Sequence, residues 1–155
     1  MPTIHHEIFI QAPIAVCFDL ARNIDVHIQT TGTTNERAVA GVTSGLIENG
    51  QTVTWEATHL GVRQKLTAKI IDLERPYRFV DTMVNGAFHS FTHIHEFVES
   101  GTGTIMKDTF SYKSPLGVLG IIADKLFLER YMREFIVNRA EGLKKIAEEN
   151  LNNDK

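Results

Sequence analysis

The sequence predicts an α+β domain in which a seven-stranded, curved antiparallel sheet wraps around a long C-terminal helix. Two short helices are placed between the first and second strands. Three observations predict this. From about residue 36 to residue 112 apolar residues alternate with polar ones, and Asn49-Gly50, Gly61, Asn85-Gly86 and Gly101-Thr102-Gly103 punctuate the alternation. After Lys113 the period becomes helical and stays so to about Asn150. The 155 residues are 43% hydrophobic and 23% charged, ordinary usage for one globular domain. A single domain is expected over 1–150, with a disordered polar tail at 151–155.

The first strand covers 3–11 and ends before Ala12-Pro13, because proline suits the first helical position and not a ladder. Val16, Cys17, Leu20 and Ala21 then recur at helical spacing. Asn23 reads as a break into a second short helix carrying Ile24, Val26 and Ile28. Gly32 to Asn35 is turn-rich. A second strand follows, and Asn49-Gly50 marks a hairpin into the third, since both residues tolerate positive φ. The remaining strands are read at 52–60, 62–73, 77–84, 87–98 and 104–112. Ser114 as cap and Pro115 at the first helical position open the last helix, while Gly117 and Gly120 weaken its entry.

Side chains alternate across a strand, so parity assigns the faces. Strand three turns Val53, Trp55, Ala57 and His59 inward, and strand four Val62, Gln64, Leu66, Ala68 and Ile70. A turn at Leu60-Gly61 sets His59 opposite Val62 and Trp55 opposite Leu66. Strand five is read with Phe79, Asp81 and Met83 inward. Strand six offers Phe91, His93, His95 and Phe97, and strand seven Met106, Asp108, Phe110 and Tyr112. A turn at Gly101-Thr102 places His95 opposite Asp108. On the last helix Leu128, Met132, Phe135, Ile136, Leu143 and Ile146 form the inner stripe, with Arg139 inside it. An inner face carrying His59, Gln64, Asp81, His93, His95, Asp108 and Arg139 does not suit a dry core. An unpartnered buried polar group costs about 1–3 kcal/mol. A partly hydrated cavity between sheet and helix is therefore expected.

Sixteen basic and nineteen acidic residues leave a net charge of −3, which disfavours a polyanionic partner such as nucleic acid. The apolar run at 116–123 is far shorter than the roughly 20 residues of a spanning helix, so no membrane insertion is expected. No secretory signal is visible, and a cytoplasmic location is expected by default. The single cysteine, Cys17, reads as a small core residue.

Several short motifs occur in a characteristic order. They are Gln11-Ala12-Pro13 with Cys17-Phe18, Gly50 with Val53-Thr54-Trp55, Gly61-Val62-Arg63, and Pro76 with Phe79 and Asp81. Gly86-Ala87-Phe88, His93-Ile94-His95-Glu96-Phe97, Gly103-Thr104, Met106 with Asp108, and Tyr112 to Pro115-Leu116-Gly117 follow, and Phe135 and Arg139 complete the set. With them the sequence resembles the SRPBCC (START-like) superfamily, in its small bacterial ligand-binding branch, over nearly the whole chain. The resemblance implies the helix-grip fold. It also implies an elongated cavity that binds lipids, polyketides, flavonoid-like aromatics or similar molecules, and polyketide aromatase/cyclases share the fold.

The His93-x-His95 pair, with Asp108 or His59, has the residue types of a zinc site. A satisfied polar network, with His95 bonded to Asp108 and His93 to a water or to the Trp55 indole, explains the pair more simply, so no metal and no cofactor is expected. The same pair can serve as a general base. No nucleophile elbow is present, and Ser90 and Ser111 have outer parity, so no catalytic residues are assigned. Arg139 either anchors a ligand anion, pairs with Asp81 or Asp108, or snorkels to the cavity mouth.

The expected function is binding of a small hydrophobic molecule, for sequestration or transport, by a monomer or weak dimer. Trp55, Phe79, Met83, Phe91, Met132 and Phe135 are read as lining the apolar part, and His59, Asp81, His93, His95, Asp108, Tyr112 and Arg139 as orienting the polar end. A cyclase or hydrolase using His95, and a ligand-free interaction module with a filled interior, are the alternatives.

Overall fold

The computed structural model describes residues 2–59, 61–114 and 127–153, the side chains of 151–153 aside. Strand β1 (Thr3–Ile10) leads into α1 (Ile14–Ala21), α2 (Ile24–Thr30) and a 3-10 turn (Gly32–Thr34). The strands β2 (Arg37–Gly41), β3 (Thr52–His59), β4 (Val62–Glu74), β5 (Arg78–Asn85), β6 (Ser90–Ser100) and β7 (Gly103–Lys113) follow, and helix α3 (Glu129–Asn153) comes last. The strands form one antiparallel sheet in the order β1-β7-β6-β5-β4-β3-β2. The chain thus has the α+β helix-grip architecture. Among the described residues no helix is long and apolar enough to cross a membrane.

Local chemistry explains the element ends. Asn23 caps α2 by accepting from the Val26 amide at 3.1 Å. Pro13 occupies the N-cap of α1, one residue before the first helical position expected for it. Ser100 pairs with Gly103 across a two-residue turn, where Gly101 at φ +59° takes the left-handed conformation. At Gly103 a Cβ would stand 2.5 Å from both the Ile10 carbonyl oxygen and the Phe9 ring, so only glycine lets β7 start beside β1. The start of the last helix, with Pro115, Gly117 and Gly120, and the Leu60 half of the β3–β4 turn lie outside the described residues.

Three sequence expectations are corrected. The second strand does not run to Asn49-Gly50; it ends at Gly41, which pairs with Val53. The intervening residues fold back on the helices. Gly45 accepts from the Ile24 amide at 2.8 Å, the buried Arg22 guanidinium donates to the Ile47 carbonyl at 3.0 Å, and Ile47 enters the core. Burying Ile47 and satisfying Arg22 outweighs a tight hairpin. Val62 has inner parity, yet it is exposed at the first position of β4. At the C-terminus, residues 151–153 continue α3 where a disordered tail is expected, and 154–155 lie outside the described residues.

Elsewhere the register is as read. His59 faces Val62, Trp55 faces Leu66, and His95 faces Asp108. Two buried clusters result. Phe18 anchors the first, with its ring edge-on to Phe79 at 5.6 Å and to Phe97 at 5.5 Å, which closes α1 onto β5 and β6. The second gathers Ile4, Phe91, Phe110, Tyr112, Met132 and Ile136. Helix α3 makes its main backbone approaches to β1, α1 and α2. It is thus held along one side of the sheet, and the middle strands face it across an interior space.

Phe18 is only 1% exposed, so Phe18→Ala removes both ring contacts and leaves a void. A loss of about 3–5 kcal/mol is expected, read as a lower urea midpoint with an unchanged slope. A loss below about 1 kcal/mol would show that α1 does not close the core.

Candidate functional site: a cavity between sheet and helix

The space between the sheet and α3 is a cavity of about 430 Å³. Most of its wall is apolar: Leu66, Ala68, Phe88, Phe91, Phe110, Met132, Phe135 and Ile136 are part of it. Ten of the thirteen residues read from the sequence as ligand-facing line it: Trp55, His59, Asp81, Phe91, His93, His95, Asp108, Met132, Phe135 and Arg139. Three do not line it. Phe79 stacks beneath His95 with ring centres 4.1 Å apart, Met83 packs against the second aromatic cluster, and Tyr112 is buried beside Phe88 and Phe110.

Antiparallel pairing builds the polar cluster. Asp81 on β5 faces His93 on β6, and His95 faces Asp108 on β7. The pairing by hydrogen bond differs from the cross-strand register. His93 Nε2 donates to Asp108 Oδ1 at 2.8 Å, while His95 Nδ1 lies 3.3 Å from that same oxygen. His95 Nε2 lies 3.3 Å from Asp81 Oδ1. The two imidazoles stack with centres 3.8 Å apart. His93 therefore binds a carboxylate rather than the Trp55 indole, which stacks instead on His27 at 4.0 Å.

Charge is shared within this group. Burial alone would raise Asp108, but the hydrogen bonds from His93 and His95 outweigh it and hold the carboxyl well below its usual range. Burial likewise opposes ionisation of Asp81, and His95, His93 and Arg139 reverse the effect. Burial disfavours the charged form of His95, yet two flanking carboxylates raise its proton affinity above the ordinary value. For His93, burial and the neighbouring His95 charge together lower it, against the pull of Asp108. The balance of burial and carboxylates thus falls in opposite senses on the two imidazoles, favouring the charged form of His95 and disfavouring that of His93.

Arg139 reaches the cavity from α3. Its Nη2 donates to the Ala21 carbonyl at 3.1 Å, which ties α3 to α1. Among the described residues, neither an Asp81 nor an Asp108 ion pair forms within 4.0 Å, and its buried Nε has no hydrogen-bond partner. Arg139 thus lines the cavity with one buried guanidinium N–H that meets no acceptor among the described residues.

Among the titratable wall residues, His27, Glu36 and Tyr131 are absent from the sequence reading as site residues. His27 pairs with Glu36 at 2.9 Å, and Glu36 also accepts from the Thr34 hydroxyl at 3.0 Å. Tyr131 meets His59 Nδ1 at 2.7 Å. His27 lies on one helical stripe with Ile24 and Ile28, and Tyr131 on one with Leu128 and Phe135. That spacing is the signal available in the sequence. Glu36 has none, because it owes its burial to the packing of α2 against the sheet. Asp81, His93 and His95 also offer ligand atoms within 4.8 Å of one another, a span that can admit a metal ion.

No protein-family model matches the sequence, and no curated protein matches it. Solved structures do. The Thermus thermophilus protein TTHA0849 superposes with a TM-score of 0.76 at 21% identity, over 93% of this chain and 95% of that one. Ginseng major latex-like protein 151 from Panax ginseng gives 0.71 at 12% identity, over 94% and 97%. The di-domain ARO/CYC StfQ of the steffimycin biosynthetic pathway gives 0.74 at 13% identity, covering 97% of this chain and 51% of that one. At these identities the likeness defines the fold alone: the chain has the helix-grip fold, with two short helices after the first strand and a long helix gripped by the sheet.

His27 yields a pH prediction. Burial, then the Arg139 charge, lower its proton affinity in the folded chain, against Glu36 and Asp81, which raise it. The unfolded imidazole takes up its proton near pH 6.5 while the folded one resists, so the unfolded state binds more protons and stability falls as pH drops through about 6.5. His27→Gln is expected to remove that component, so that urea-unfolding free energies of wild type and variant converge between pH 7.5 and 5.5. A constant difference across that range would contradict the assignment.

Proposed function

We propose that the chain binds a small apolar molecule with one anionic or polar end in the cavity between sheet and α3, for sequestration or transport. The cavity carries the reading: its volume of about 430 Å³ lies within the roughly 300–1,000 Å³ typical of small-molecule sites. Its polar groups converge rather than scatter, and they include an Arg139 Nε donor with no acceptor of its own. The implied partner is a lipid, polyketide or flavonoid-like aromatic, as the resemblance to the SRPBCC superfamily suggests. Trp55, Phe91, Met132 and Phe135 then supply apolar wall, and Arg139 supplies the fork for a carboxylate or phenolate. A ligand-free interaction module predicts a filled interior, and the cavity weighs against it.

One observation favours a second reading, proton-transfer catalysis of the cyclase or hydrolase kind. Asp108 orients the buried His93 through a 2.8 Å hydrogen bond, burial disfavours the charged imidazole, and both residues line the cavity. Turnover that collapses in His93→Gln while ligand affinity persists would select this reading.

Trp55 is the single tryptophan and lines the cavity, so its emission reports occupancy. Delipidated protein titrated with fatty acids, flavonoid-like aromatics and polyketide mimics is expected to show a saturable change for at least one class. Arg139→Gln is expected to weaken carboxylate-bearing members by about 1.5–3 kcal/mol, roughly 10–150-fold, and their neutral analogues far less. An unchanged emission across the panel would overturn the binding reading.

A further inference from the structure

The cavity holds a second arrangement that ligand binding does not require. His93 and His95 both turn one ring nitrogen toward a single oxygen, Asp108 Oδ1: His93 through Nε2 at 2.8 Å and His95 through Nδ1 at 3.3 Å. With the His93 N–H donated to Asp108 and His95 Nδ1 held 3.3 Å from the same oxygen, the carboxylate biases both tautomers. It leaves a lone pair on Nδ1 of His93 and on Nε2 of His95 when the rings are neutral. Asp81 lies directly across the ladder from His93, and its Oδ1 is 3.3 Å from that His95 Nε2. Ligand atoms of the three side chains lie within 4.8 Å of one another, with both histidines buried.

We propose that Asp81, His93 and His95 form a mononuclear site for a zinc-type divalent cation, with Asp108 as the positioning carboxylate behind both imidazoles. Two ligand atoms 3.3 Å apart, each about 2.1 Å from a shared ion, subtend about 104°, close to the tetrahedral angle. The ion takes the place of the proton between His95 and Asp81, and the His93 ring, stacked on His95, turns to bring its nitrogen from within 4.8 Å into the third bond. Three protein ligands on the cavity wall leave the fourth position facing the cavity, which suits water or an anionic ligand atom. The two-histidine, one-carboxylate set is borderline in hardness, so it selects first-row transition ions over Ca²⁺ or Mg²⁺. Imidazoles oriented by a carboxylate that is not itself a ligand are the usual outer shell of such sites. This site stands independently of what fills the apolar part of the cavity.

The test uses the whole chain, stripped with a chelator and titrated with Co²⁺ alone. The expected result is one Co²⁺ per chain, with the intense visible bands of a four-coordinate ion that Zn²⁺ then displaces. Asp81→Asn and His95→Gln are expected to abolish those bands while retaining the native near-ultraviolet circular dichroism. Asp108→Asn is expected to keep the bands and weaken affinity about 10–100-fold. His5→Gln and His89→Gln, on exposed histidines, are expected to change nothing. A second measurement needs no variant: Zn²⁺ added to wild type is expected to shift the ring ¹⁵N resonances of His93 Nδ1 and His95 Nε2. Hexaaqua-type Co²⁺ bands at one equivalent, bands that survive Asp81→Asn, or Zn²⁺ shifts confined to His5, His6 or His89 would overturn the proposal.

Discussion

Asp108 is a carboxylate in the interior of a β-sheet, 6% exposed, and a charge there persists only if donors surround it. The two imidazoles of β6 are those donors. Their bonds overcome the effect of burial on the carboxyl and set which nitrogens they present. Through His95 the same charge reaches Asp81 on β5, so three neighbouring strands are tied by one polar chain across the middle of the sheet. Filling that region with aliphatic side chains is the ordinary solution for a sheet covered by a helix. The polar chain prevents it and leaves a wall that needs a partner.

The position of α3 follows the same constraint. The helix packs against β1, α1 and α2, where Ala140, Leu143 and Ala147 bury against the first cluster, and it faces the polar strands across a cavity. Small residues on that stretch let the backbones approach closely at one side. The larger Met132, Phe135 and Ile136 nearer the start of the helix face the cavity. Arg139 sits between the two regions, with one nitrogen on the Ala21 carbonyl and its buried Nε unpartnered. The same side chain therefore fastens the helix and, in the proposed binding role, supplies the donor for a ligand anion. A binding role and a metal-bearing role draw on different parts of this wall, the first on Arg139 and the aromatic side and the second on the histidine pair.

Much of this is legible because strand chemistry is local. Period-two alternation and the Gly101 turn place His95 opposite Asp108, and the β3–β4 register brings Trp55 and His59 to the inner face. Alternation says which face a side chain takes but not how deep it lies or which neighbour it bonds. Phe79, Met83 and Tyr112 have the parity read for them, yet none of them lines the cavity, and Phe79 lies beneath His95. The bond of His93 to Asp108, rather than to the residue directly opposite, depends on side-chain rotation that no register specifies. The loop at 42–51 escapes sequence reading for a related reason: Arg22 and Ile47 are distant in sequence, and their burial together overrides the turn preference of Asn49-Gly50.

The sequence by itself determined the order of elements, the antiparallel register of the middle strands and the presence of polar residues on the inner face, because all three depend on periodicities of a few residues. The tertiary structure alone decided that His27, Glu36 and Tyr131 join the wall, that Arg139 bonds a backbone carbonyl instead of a carboxylate, and that Asp108 holds two imidazoles at once. Those contacts join α1, α2, α3 and the sheet across long stretches of chain. Their energy depends on distance and burial, which exist only once the helices have docked.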